Sequence, residues 1–135
     1  MSDPMTIFQV AGRAMSAQLV RMNTTASNLA NVGNSAGTAE GAYRTMKPVF
    51  RTSFDAASGM STVDVEKVVT AGEAPAKRYD PNNPMADKDG NIFEAAVDET
   101  REMVDMMETA RSYQNNIEVM NTAKSLIIDT LKLGR

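Results

Sequence analysis

Residues 98–135 read DETREMVDMMETARSYQNNIEVMNTAKSLIIDTLKLGR, and this stretch decides the fold. Asp98 offers a side-chain oxygen to cap a helix. Glu99 and Glu102 follow in the first turn, where acids suit the helix dipole. Met103, Met106, Ala110, Tyr113, Ile117, Met120, Ile127 and Leu131 then recur at steps of three and four, broken only at Lys124. That spacing predicts a helix to Leu133, roughly 50 Å long, with one apolar seam. Gly134 is the predicted stop, with Lys132 and Arg135 near the negative end of the dipole. Up to Arg111 the stretch is densely charged, and Arg101 and Asp105 stand one turn apart. Beyond Ser112 charge thins, and Val119, Leu126, Ile128 and Leu133 spread apolar surface off the seam. The first half is therefore expected in water and the last half more enclosed. Met103, Met106, Met107 and Met120 read as core packing.

The other end of the chain has a second seam. Asp3 and Pro4 form a helix start. Met5, Phe8, Gly12, Met15, Leu19, Met22, Ala26 and Leu29 repeat at the same steps, to a predicted end near Val32 and Gly33. Between Pro4 and Val32 only Arg13 and Arg21 are charged. A helix face kept in water is usually rich in Lys and Glu, and Asn, Thr and Ser are weak helix formers. This helix is therefore expected to touch protein on more than one side. The expected fold is mainly α: long N- and C-terminal helices packed as an antiparallel coiled-coil-like pair, with a small β-hairpin and loop insert between them. Residues 1–34 and 96–135 would form a discontinuous helical core, and residues 35–95 the insert. Unequal helix lengths leave part of the last helix without a partner in its own chain.

The middle is punctuated by Gly37, Gly41, Gly59, Gly72 and Gly90 and by Pro48, Pro75, Pro81 and Pro84. Tyr43 to Phe54 and Met60 to Thr70 read as strands, turning over Asp55 to Gly59, with Pro48 marking an edge or a bulge. Tyr79-Asp80-Pro81-Asn82-Asn83-Pro84 reads as a rigid loop.

Several chemistries are excluded by composition. The 135 residues carry a net charge of −3 without a dense basic run, which disfavours nucleic acid. With no Cys and no His, thiolate metal sites, thiol nucleophiles and the commonest general base are absent. Asp87-Lys88-Asp89-Gly90 begins like a calcium loop, but Met85 and Ala96 stand where ligands are required, so it reads as a turn. The Glu99 and Glu102 carboxylates read as part of a solvated helix face rather than as an acid–base pair. No run is long and apolar enough for a membrane span, and the first residues carry no cleavable signal pattern. No catalytic residue, cofactor or metal is expected.

Ala26-Ser27-Asn28-Leu29-Ala30-Asn31, followed by Tyr43-Arg44, resembles the N-terminal signature of bacterial flagellar rod and hook proteins. Glu102-Met103-Val104, Ala110-Arg111-Ser112-Tyr113-Gln114, Val119 to Lys124 and Leu131 to Arg135 resemble their C-terminal signature. The Tyr79 to Asp87 loop with Gly90 resembles the proximal rod branch of the flagellar basal-body rod family. The resemblance implies a structural subunit whose terminal helices stack into an axial tube in the basal body. It also implies type III export without a cleaved signal. The implied neighbours are the rod proteins FlgB, FlgF and FlgG, the base component FliE, and further copies of the chain. The residues expected at the assembly interface are Phe8, Met15, Leu19, Met22, Asn28, Leu29 and Asn31 in the first segment. In the last they are Met106, Tyr113, Gln114, Ile117, Met120, Asn121, Ile127 and Leu131. A soluble helical adaptor or export chaperone is the alternative function.

Overall fold

The computed structural model describes residues 6–134. Helix α1 runs Ile7–Ala30 and helix α2 runs Glu99–Leu133. Between them lie β1 (Ser35–Ala36), β2 (Met46–Asp55), β3 (Met60–Thr70), β4 (Ala76–Tyr79) and β5 (Asn91–Glu94). Strands β2 and β3 form an antiparallel ribbon, and β1, β5 and β4 form a second antiparallel sheet in that order. The expectation of a mainly α chain with only a small hairpin insert is therefore corrected. About 24% of the described residues are in strands, in two sheets, beside 46% in helices, an α+β arrangement. The second sheet left little trace in the sequence because its strands have two to four residues, and Ala76–Tyr79 is exposed throughout. Strands so short show no usable alternation; their pairing across the chain creates them.

Local chemistry explains the element ends. The start expected at Asp3 and Pro4 lies outside the described residues, as do Met5 and Arg135. The structure caps α1 at Thr6: its hydroxyl accepts from the Gln9 amide, and the Gln9 side chain accepts from the Thr6 amide. This reciprocal pair satisfies two of the otherwise unpartnered N–H groups. Asp98 caps α2, its carboxylate accepting from the Arg101 amide at 3.1 Å. Gly134 closes α2 through its amide to the Thr130 carbonyl. The ribbon turns through Gly59 at φ +67, and its ladder slips between Val49 and Phe50, directly after Pro48. The residue passed over is Glu66 of β3, so the bulge lies on the strand opposite, while Pro48 stays in register with Val68. The Asp80–Asn91 loop is held by the Asp87 carboxylate, which accepts from the Asp89 and Asn91 amides at 2.9 Å each.

The helices run antiparallel, since Asn28 meets Glu102, Arg21 meets Asp105, and Ile7 lies beside Val119 and Leu126. Strands β2 and β3 flank α1, with Arg13 reaching Asp64 at 3.3 Å. Among the described residues the buried hydrophobics are Ala11, Ala17, Ala42, Ile92 and Ala123. Four alanines and one isoleucine make a thin core. The chain exposes 9210 Å², where a compact monomer of its mass would expose about 6,900 Å².

Candidate assembly interface

The contact between the helices is polar at its centre. On α1 the buried positions are Ala11, Ala17, Thr24, Thr25 and Asn28. On α2 they are Glu102, Thr109 and Ala123. Together with the half-buried Met106, Tyr113, Asn116 and Met120 they trace one line at alternating steps of four and three. Every seventh residue on that line, Glu102, Thr109, Asn116 and Ala123, is polar or small. The inward face is thus turned by one position from the apolar seam expected at Met103, Ala110 and Ile117. Thr24 and Thr109 sit in this contact without a cross-helix partner, because each hydroxyl donates to its own helix, to the Val20 and Asp105 carbonyls.

Asn28 is 1% exposed and uses its whole hydrogen-bonding capacity. Its Nδ2 donates to Glu102 Oε2 and to the Met46 carbonyl, both at 2.9 Å. Its Oδ1 accepts from the Tyr43 hydroxyl at 2.6 Å and from the Met46 amide at 3.0 Å. One side chain therefore ties α1 to α2, to the start of β2 and to the loop before it. The resemblance motifs Ala26 to Asn31 and Tyr43-Arg44 meet here, which gives their spacing a physical reason. Glu102, expected on a solvated face, is only 4% exposed and holds this node. Arg101 does not pair with Asp105 as expected. Arg21 of α1 takes Asp105 at 2.8 Å and lies 3.7 Å from Glu108. The pair is partly exposed and contributes no more than about 1 kcal/mol, but it fixes the helices in one register.

The apolar residues expected at the interface fall to the rim of this contact or outside it. Phe8, Met15, Met22 and Leu29 are half-buried. Leu19, half a turn round the helix from Asn28, is 43% exposed. Met106, Tyr113 and Met120 are half-buried on the inner line, whereas Gln114, Ile117, Asn121, Ile127 and Leu131 are exposed. Asn28 is enclosed within the chain. Asn31 is engaged locally, donating to the Ser27 carbonyl at 2.8 Å and accepting from Asn34 Nδ2 at 2.9 Å. Met103 and Met107, expected in the core, are exposed too.

The last half of α2 was expected to be the more enclosed, and within one chain it is the reverse. Leu126 is 63%, Leu131 67% and Leu133 87% exposed, and Val119, Ile127 and Ile128 are exposed as well. They lie on several sides of the helix, so turning it within the chain would not cover them. Helix α1 has 24 residues and α2 has 35, a difference of about 16 Å at 1.5 Å per residue. Isolated apolar residues on a surface are ordinary, but a continuous band of this kind marks a contact. Sequence reasoning missed Glu102, Thr109, Ala123 and Thr25 as inward positions. The repeat of small or polar residues every seven positions was the signal that could have found them.

Comparison with known proteins gives a concordant result. The family model described as flagella basal body rod protein matches residues 8–33, and that described as flagellar basal body rod FlgEFG protein C-terminal matches residues 89–133. The chain is 44% identical over 133 residues to the flagellar basal-body rod protein FlgC of Salmonella typhimurium, covering 97% of this chain and 98% of the relative. It is 43% identical to FlgC of an Escherichia coli strain over the same shares, and 34% identical to FlgC of Agrobacterium fabrum over 97% and 96%. Full-length similarity at these levels, with both matched segments falling on the two helices and their node, shows that the chain belongs to the FlgC family of flagellar basal-body rod proteins.

Proposed function

We propose that this structural subunit of the flagellar rod is built into the rod through its two terminal helices, and that neighbouring subunits complete its fold. The observation that carries the reading is the apolar band on the last half of α2, left open by a polar inner seam. Each large side chain of that band contributes roughly 1.5–3 kcal/mol when fully buried. The thin alanine core cannot supply comparable stabilisation from within the chain, so contact with neighbours adds to stability by mass action. The excess of exposed surface over a compact monomer is larger than the ~800 Å² that one partner of a standard interface buries. The low charge of α1 suits the same environment, because neutral amides and hydroxyls enter an interface at lower cost than charges.

The neighbours in this reading are other rod and base components, FlgB, FlgF, FlgG and FliE, along with further copies of the chain. The relatives are basal-body rod proteins, and the basal body is the location in this reading; no helix among the described residues is long and apolar enough to cross a membrane.

The test is Leu131→Asp in cells lacking the native copy. The expected result is loss of the chain from purified basal bodies and loss of swimming, with the helical circular dichroism of the purified subunit unchanged. Normal incorporation would overturn the reading.

A further inference from the structure

Asp89-Gly90 is the one Asp-Gly step in the sequence, and no Asn-Gly step occurs. An aspartate before glycine is the step most open to isomerisation, because glycine has no side chain to shield its amide. The Gly90 nitrogen attacks the carbonyl carbon of the protonated Asp89 carboxyl. A C–N bond forms, and the carboxyl hydroxyl leaves as water with the amide proton. Water then opens the five-membered imide at either carbonyl. One opening restores aspartate. The other leaves the main chain running through the side-chain carboxyl, one methylene longer, as isoaspartate. The Asp89 side chain is exposed, so exposure alone leaves it open to this reaction.

The turn around it opposes the reaction at each step. The attacking nitrogen is engaged, since Gly90 donates its N–H to the Asp87 carbonyl at 3.0 Å. Closing the ring requires that nitrogen to lose its proton and swing toward the Asp89 carboxyl, which breaks this bond. The main chain on both sides is also held. The Asp89 and Asn91 amides donate to the Asp87 carboxylate at 2.9 Å each, and the Gly90 carbonyl accepts from the Asp80 amide at 2.8 Å. Gly90 itself is buried, at φ +78. A side chain there would meet Tyr79 Cε2 at 2.9 Å and Pro81 Cβ at 3.1 Å. The Tyr79 ring and Pro81 therefore stand where the missing side chain would be and shield the amide in its place. We infer that Asp89-Gly90 is a latent isomerisation site that Asp87 and Tyr79 keep closed in the folded chain. An extra methylene there would break the pairing of Tyr79 with Asn91 and loosen the start of β5. The inference concerns this loop and stands apart from the rod reading.

The test ages the purified full chain in warm neutral buffer and measures isoaspartate at residue 89 by peptide mapping, with enzymatic methyl labelling of isoaspartyl groups as a second count. The native chain in buffer is expected to isomerise at least fivefold more slowly than the same chain in concentrated urea. Equal rates overturn the inference. Asp87→Ala removes the acceptor of two amides and should raise the rate in buffer at least threefold. Asp87→Asn keeps an acceptor oxygen and should stay within twofold of native. Tyr79→Ala uncovers Gly90 while leaving the Asp87 bonds, and should raise the rate at least twofold. A variant that keeps the native circular dichroism and the native rate overturns the role of the residue it replaces. If Asp87→Ala unfolds, Tyr79→Ala decides alone. Asp89→Glu, whose longer side chain would have to close a less favoured ring, should abolish the methyl label. A label that persists in Asp89→Glu places the isomerisation elsewhere and overturns the assignment.

Discussion

The helix pair is built differently at its two ends. Around Asn28, α1, α2 and the start of β2 are joined by four hydrogen bonds through one enclosed side chain, with Arg21 two turns along α1 and Asp105 one turn along α2 from Glu102. Beyond the level of Ile7 and Leu126, α2 continues with Ile127, Leu131 and Leu133 exposed. One end is polar and closed within the chain, and the other is apolar and open to another. Polar contacts are directional and set a unique geometry at modest net energy. Apolar contacts are non-directional and supply energy in proportion to area. The chain therefore fixes its shape with the first kind and, in the reading proposed above, offers the second to its neighbours.

That contrast can be broken at four places. The largest effect is expected at the open end. Ile127→Asp should abolish incorporation into basal bodies while changing the urea midpoint of the isolated subunit by less than about 0.5 kcal/mol equivalent, as for a surface site. A large loss of subunit stability would show that Ile127 is already covered within the chain. Next is Asn28→Ala at the closed end. It leaves Glu102, the Tyr43 hydroxyl and the Met46 backbone without their partner, and should cost about 3 kcal/mol in urea unfolding. A cost below about 1 kcal/mol would mean that water replaces the amide and that the node is not closed. Thr109→Val comes third. The hydroxyl bonds only to its own helix at 2.6 Å, so this substitution should cost no more than about 1 kcal/mol and should leave the helix pairing intact by disulfide mapping. Smallest is Arg21→Gln, expected to cost about 0.5 kcal/mol, with the difference from native shrinking as salt is raised. A salt-independent loss would assign Arg21 a packing role instead.

Much of the framework was legible in the sequence. Asp98 with Glu99 and Glu102, and Gly134 at the far end, mark α2 to the residue, because caps are local chemistry. The β2–β3 ribbon was legible from Val63, Val65, Val68 and Val69 and from the Asp55 to Gly59 turn. Three features were not. The capping box at Thr6 and Gln9 was passed over for Asp3 and Pro4, since several residues in that stretch can cap. The second sheet depends on pairing Ser35 with Glu94 and Ala76 with the same residue, which no local pattern announces. The inner seam was assigned to the apolar residues because in a self-sufficient domain the apolar stripe faces inward. Here the rule divides: Thr25, Asn28, Glu102 and Thr109 face inward, and much of the apolar stripe is left exposed on the chain. The site was legible as a set of apolar residues on two helices, and its outward direction became visible only in three dimensions.

The difference in length between the two helices has a mechanical meaning. If neighbouring subunits dock on the protruding segment, as proposed, its start is fixed by the inner seam and its reach would act as a ruler for the rise from one subunit to the next. Inserting seven residues after Ala123 would leave the hydrogen-bonded node untouched and keep every side chain on its original face, while carrying the tip about 10 Å further along the axis. Copies bearing that insertion should match one another and mismatch the native chain, so that a mixture of the two would sort by length.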